Sequence, residues 1–153
     1  MVYQLIALDM DGTLLNSQFK ITKGCQEAIK KASDLHKIVA ISTGRSLTEM
    51  RPYLDDLKDV RYLILESGAV VYDLKEAKIL YQKTFQPSDI YKIHQAYLKQ
   101  DMMIHIFMNG YSYATKEHMY QMDKYQMGKY QETFVHNNSG IENVDEFLKN
   151  TFI

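Results

Sequence analysis

Residues 2–8 form a nearly continuous apolar run, interrupted by Gln4 and halted by Asp9. That is the pattern of a short strand buried on both faces. Thr22 is placed to cap a helix whose apolar positions Cys25, Ala28, Ile29, Ala32 and Leu35 fall at helical spacing. Residues 38–41 read as a second buried strand. Ser46 and Glu49 then make a capping-box pattern, followed by Leu47, Met50, Leu54 and Leu57 on one helical face. Residues 62–65 supply a third strand. The order β-α-β-α-β predicts a parallel sheet with right-handed crossovers, an α/β fold of Rossmann-like type.

After Leu65 the rhythm changes. Residues 70–72 and 79–81 flank a polar connection and predict a hairpin. Pro87 and Ser88 open a helix with Ile90, Ile93, Tyr97 and Leu98 on its expected buried face. Residues 102–108 and 111–114 flank Asn109-Gly110, the strongest short-range hairpin signal. Helical segments follow around residues 117–125 and 144–148. The change of rhythm puts a domain boundary near Thr84, dividing the chain into residues 1–84 and 85–153.

Composition narrows the partners. Eighteen Lys+Arg against 19 Asp+Glu leave a net charge of −1. Such a balance gives no electrostatic reason to expect a nucleic-acid or anionic-membrane partner. Cys25 is the single cysteine, so no intrachain disulfide can form, which suits a reducing cytosol. The apolar run at the start is too short for the core of a signal peptide and lacks a basic leader. No run approaches the roughly 20 apolar residues of a membrane span. The expectation is a soluble, cytoplasmic protein.

The candidate chemistry sits directly after the first strand, in Asp9-Met10-Asp11-Gly12-Thr13-Leu14-Leu15. Carboxyl ends of strands in an open parallel sheet line the ligand crevice. Two carboxylates at i and i+2 suit a reaction that needs one nucleophile and one proton handler. Asp9 is the candidate nucleophile, to be phosphorylated on its carboxylate, and Asp11 the candidate acid and base. Gly12 lets the chain turn sharply. A phosphoryl group and Asp9 repel each other, so a hard cation with oxygen ligands, Mg2+ foremost, is expected to bridge them. The alternative for this segment is an Asx-rich turn without chemistry.

A second piece, Ser42-Thr43-Gly44-Arg45, ends the second strand. The Thr43 hydroxyl can donate to a phosphoryl oxygen, and Gly44, in the turn before a helix N-terminus, is a candidate phosphate-binding residue beside it. Arg45 could bind phosphate with two nitrogens or brace the crevice. The alternative is an N-capped helix carrying a surface arginine.

These motifs resemble the Cof-like branch of the haloacid dehalogenase-like hydrolases, which open with Asp-x-Asp-Gly-Thr-Leu and carry Thr-Gly-Arg after the second strand. The match covers the core region from Tyr3 to about Tyr72, and the remainder resembles the start of that family's α/β cap. The resemblance implies a partial core in residues 1–84 and a partial cap in 85–153. It implies a phosphatase acting on small phosphate esters, such as sugar phosphates, through an aspartyl phosphate. It also implies Asp9 as nucleophile, Asp11 as acid/base and Thr43 as phosphoryl-binding hydroxyl. The Asp9 carboxylate and the Asp11 main-chain carbonyl would then be the metal ligands.

Two departures from the family pattern stand out. Ser67-Gly68-Ala69 replaces the family's Asn-Gly-Ala, and reads first as a plain turn. The phosphate-binding lysine and the Gly-Asp-x-x-Asn-Asp metal motif that follow the cap are missing, so the chain reads as ending within the cap. Lys124 and Lys129 lie in cap-like sequence and are poor stand-ins for that lysine. A truncated, catalytically silent relative serving as a binding or interaction module is therefore the alternative function. Self-association or completion by a second polypeptide is the matching expectation for partners. His94, His105, His118 and His136 lack metal-ligand spacing. His36 suits the end of a helix, and Cys25 a helix's apolar face.

Overall fold

The computed structural model describes residues 3–98, 100 and 102–152; the predicted start of the first strand at Val2 lies outside them. The chain divides into two compact units, Met1–Lys83 and Thr84–Ile153.

The first unit is a five-stranded sheet in the order β1-β2-β3-β4-β5. β1 (Leu5–Leu8) pairs in parallel with β2 (Ile38–Ser42), in register Leu5 to Ile38 and Leu8 to Ile41. β2 pairs in parallel with β3 (Tyr62–Leu65). The predicted hairpin, β4 (Val70–Asp73) and β5 (Lys78–Gln82), continues the sheet, and β4 runs antiparallel to β3.

Helix α1 (Lys23–Asp34) starts where Thr22 Oγ1 accepts the Cys25 N–H at 3.3 Å. It ends on left-handed His36, with Lys37 N–H to Ala32 O and His36 N–H to Ser33 O closing the last turn. Leu35 falls at this C-cap and is exposed, so the buried helix face expected to include it stops at Ala32. The capping box forms as predicted: Ser46 N–H donates to Glu49 Oε2 at 2.8 Å and Glu49 N–H to Ser46 Oγ at 3.3 Å. Its helix, α2 (Leu47–Met50), is four residues long. Pro52 lacks the N–H that would continue the ladder, and the chain tightens into a 3-10 helix over Arg51–Leu57.

Met10, Ile41, Met50, Leu57, Leu63 and Leu65 are fully buried at the centre of this unit. Each contributes about 2 kcal/mol by leaving water. At the turn between β4 and β5, buried Asp73 accepts the Lys75 and Glu76 N–H groups and an Arg61 Nη2 bond of 2.6 Å. Burial pushes its carboxyl up, but those N–H groups and the Arg61 charge together hold it below the ordinary 3.8. A carboxyl depressed in the folded state stabilises the fold above its ordinary value and loses that contribution as pH falls through the folded one. Denaturant melts of Asp73→Asn should therefore show lower stability near neutral pH and a flatter decline below pH 3.8. An unchanged acid limb would refute this.

In the second unit, β6 (Ile106–Met108) and β7 (Tyr111–Thr115) form the predicted hairpin, with both turn residues left-handed: Asn109 at φ 53 and Gly110 at φ 79. β8 (Ser139–Ile141) joins β7 in parallel after a crossover containing α4 (Lys116–Met119) and α5 (Gln131–Asn137). α3 (Pro87–Tyr97) meets α6 (Val144–Phe152) through buried His94, whose Nε2 lies 2.9 Å from Asp145 Oδ1. The face predicted to be buried on α3 is not: Ile93, Tyr97 and Leu98 are exposed, and His94 is the helix's buried side chain. Apolar spacing signals a face that wants cover, and no described element supplies it there. Among the described residues, no helix is long and apolar enough to cross a membrane.

Candidate active site

Parallel pairing brings the carboxyl ends of β1 and β2, and of β2 and β3, side by side. Asp9 leaves β1 with extended backbone, φ −79 and ψ 156. The chain then curls through Asp11 and Gly12, closed by Leu14 N–H to Asp9 O at 3.2 Å and Leu15 N–H to Met10 O at 2.9 Å. Gly12 takes φ 79, and no atom lies within 4 Å of where its Cβ would be. Glycine is required there by backbone conformation, not by lack of space. Met10 and Leu14 are buried and anchor the loop, while Asp9 and Asp11, on either side of Met10, stay at the surface. The Asp9 carboxylate makes no hydrogen bond or ion pair among the described residues.

Asp11 is held firmly. Arg45 Nε donates to Asp11 Oδ2 at 2.9 Å and Arg45 Nη2 to Asp11 Oδ1 at 2.8 Å. The guanidinium lies 5.3 Å from the centre of the Tyr53 ring, and its side chain is only 12% exposed against 34% for Asp11. Burial works against the Arg45 charge, but the Asp11 bond and charge, with Tyr53 and Glu49, more than restore it. Such a two-point contact fixes orientation as well as charge. Arg45 thus ties the end of the second strand to Asp11.

Thr43 is buried, and its N–H donates to Ile64 O at 2.9 Å. Its Oγ1 accepts the Arg45 N–H at 3.3 Å, leaving the hydroxyl proton available to donate outward. Gly44 is exposed beside it. The helix expected to favour an anion here contributes little, because α2 spans only four residues.

Sequence reasoning gave little weight to the third element. At the end of β3, Glu66, Ser67 and Gly68 adopt φ 52, 55 and 97 in succession. They are stitched to the Thr43 turn by Glu66 N–H to Arg45 O at 3.0 Å and Ser67 N–H to Thr43 O at 3.2 Å. Ser-Gly after a strand signals a turn, but not its left-handed conformation at Glu66 and Ser67. Burial, then the nearby Glu49 carboxylate, push the Glu66 carboxyl up.

An unpartnered carboxylate with a main-chain carbonyl two residues on suits a hard cation, which prefers oxygen ligands. Asp9 and Asp11 thus fit part of a magnesium shell. No group of three His, Cys, Asp or Glu residues able to hold a metal occurs among the described residues. Lys124 and Lys129 lie in the second unit, near the Tyr125 and Tyr130 rings. A cavity of about 420 Å³ there, lined by Pro87, Ile90, Tyr91 and Leu148, contains no carboxylate. The candidate residues Asp9, Asp11, Thr43, Gly44 and Arg45 all lie in the first unit.

A family profile described as haloacid dehalogenase-like hydrolase matches residues 6–153. A 5-amino-6-(5-phospho-D-ribitylamino)uracil phosphatase of Bacillus subtilis is 40% identical over 87 residues, 54% of this chain and 35% of the relative. An HMP-PP phosphatase of Serratia proteamaculans is 30% identical over 107 residues, 69% of this chain and 38% of the relative. The solved structure of a haloacid dehalogenase-like hydrolase from B. subtilis superposes with a TM-score of 0.76 at 21% identity, covering 94% of this chain and 56% of that one. The chain thus spans between about a third and somewhat over half the length of these proteins.

Proposed function

Since the chain belongs to the haloacid dehalogenase-like hydrolase family, we propose that it carries the nucleophile half of a magnesium-dependent phosphatase of small phosphate esters. On this reading the unit Met1–Lys83 is part of the catalytic core and Thr84–Ile153 part of an α/β cap. The observation that carries it is the convergence of free Asp9, braced Asp11 and the Thr43 hydroxyl at the ends of two parallel strands.

The Asp9 carboxylate attacks phosphorus, forming an Asp9–phosphoryl bond as the ester P–O bond breaks. Asp11 gives its proton to the departing alkoxide, releasing the alcohol. Asp11 then takes a proton from water as that water attacks the aspartyl phosphate, freeing inorganic phosphate and restoring Asp9. Thr43 donates to a phosphoryl oxygen, as does the peptide N–H of Gly44, and the Arg45 charge lies close by. Both Asp11 oxygens accept from Arg45, so one of those bonds must open for Asp11 to reach the leaving oxygen. Bound to Asp9 and the Asp11 carbonyl, magnesium would supply neutralisation of the phosphoryl charge.

Phosphatases of a ribitylamino-uracil phosphate and of HMP-PP among the relatives support small, polar phosphate esters as the substrate class. The balanced charge and single cysteine support a reaction in the cytoplasm without nucleic acid or membrane. Acid-quenched chain, incubated with sugar phosphates and magnesium, should carry a phosphoryl adduct on Asp9 by mass spectrometry. Chelating the metal should abolish the adduct. Phosphate release without any adduct at Asp9 would reject the assignment.

A second reading is favoured by one observation: no acidic cluster accompanies Asp9 among the described residues. The chain alone would then bind phosphate weakly and turn over little, serving as a binding module or as one part of a two-chain assembly.

A further inference from the structure

Ser67 stands in a backbone conformation that its side chain does not favour, at φ 55 and ψ 33, directly after another left-handed residue, Glu66. Neither is glycine or asparagine, the residues that accept this region readily. Strain of this kind persists where surrounding structure enforces it, and it concentrates at functional sites. Here the enforcement is visible in the two bonds from Glu66 and Ser67 N–H to Arg45 and Thr43 O.

The strain places the hydroxyl over the phosphate turn. A Cβ built on Gly44 would lie 3.4 Å from Ser67 Oγ, in van der Waals contact, so the hydroxyl sits beside the Thr43–Gly44 turn. Ser67 is exposed, and its hydroxyl has no hydrogen-bond partner among the described residues. It does not stabilise its own turn. Arg45, meanwhile, has Nε and Nη2 committed to Asp11. A phosphoryl group entering beside Thr43 has more oxygens than Thr43 and the Gly44 N–H serve, and Ser67 offers a further donor from the adjacent strand.

We propose that Ser67 is a substrate-binding residue whose hydroxyl donates to a phosphoryl oxygen alongside that of Thr43. The assignment rests on the phosphatase reading above and adds a ligand contributed by β3.

Titration of the 153-residue chain with inorganic phosphate and magnesium, followed by amide chemical shifts, tests it. Ser67→Ala should weaken phosphate roughly tenfold, the size of one hydrogen bond to a charged group, with its melting temperature little changed. Ser67→Gly should raise the melting temperature by relieving the backbone while weakening phosphate equally. Ser67→Asn, which keeps a donor and tolerates the conformation, should restore binding. Unchanged phosphate affinity in Ser67→Ala overturns the proposal, while Asp9 phosphorylation in the same protein would leave the phosphatase reading standing. An unsubstituted chain that neither binds phosphate nor becomes phosphorylated overturns both.

Discussion

Replacing Asp9 by asparagine is expected to eliminate phosphoryl transfer while leaving the fold intact. The amide has the size and polarity of the carboxylate but lacks the charge that attacks phosphorus. Removing a nucleophile that acts with its neighbours as a unit lowers turnover by a factor on the order of 10⁶. Stability should hardly move, because the Asp9 side chain makes no bond among the described residues, and the loop closes through its main-chain oxygen. Asp11→Asn should behave differently. It breaks the two-point contact with Arg45 and leaves a guanidinium only 12% exposed without its counter-charge. That substitution should therefore lower both turnover and melting temperature. Phosphate release and thermal melts of the two variants side by side check the distinction, in a preparation whose unsubstituted form is active. An Asp9→Asn protein with full activity rejects Asp9 as nucleophile. Equal melting temperatures for both variants would reject the asymmetry between a free carboxylate and a braced one.

That asymmetry was beyond the reach of the sequence, although both residues were not. Asp9 and Asp11 are legible because chemistry and locality coincide: an apolar strand stops, and two carboxylates and a glycine follow within four residues. The same holds for the Thr22 cap, the Ser46–Glu49 box and the Asn109-Gly110 turn, each set by neighbours a few residues apart. The Asp11–Arg45 pair joins positions 34 residues apart. Its existence depends on which strand lies next to β1 and where the second strand ends. The left-handed turn at Glu66 and Ser67 is less legible still, because both residues oppose it by intrinsic preference. The bonds to Thr43 and Arg45, which lie more than 20 residues away in the chain, tie it in place. Strand β8 was missed for a related reason: Ser-Gly-Ile has no strand signature, and its pairing with β7 follows from the crossover geometry. On α3 the periodicity was real, but the cover it implies is absent from the described residues, so Ile93 and Tyr97 remain exposed.

Exposure of the same kind at β1 carries the second large expectation, that this chain associates through the edge of its sheet. β1 is the terminal strand of the sheet and, among the described residues, pairs with β2 alone. Successive strand residues point to opposite faces, yet Leu5 and Ile6 are exposed at 51% and 37%, so neither face is covered there. Ile38, paired with Leu5, is exposed at 39%. A strand with open backbone groups and apolar side chains on both faces is a template for another strand. The occupant can be a second copy of the chain or a completing polypeptide, and a purified sample offers only the copy. Light scattering should therefore show a mass that rises with concentration. Amide exchange at residues 5–8 should slow as it does. Each apolar side chain buried in such a contact contributes about 1.5–3 kcal/mol, so Leu5→Lys should raise the dissociation constant on the order of tenfold or more. Because Leu5 is already half in water, the same substitution should leave the melting temperature of the dilute chain nearly unchanged. A monomer at every concentration, with residues 5–8 strongly protected, would overturn this expectation and require a covering segment over β1.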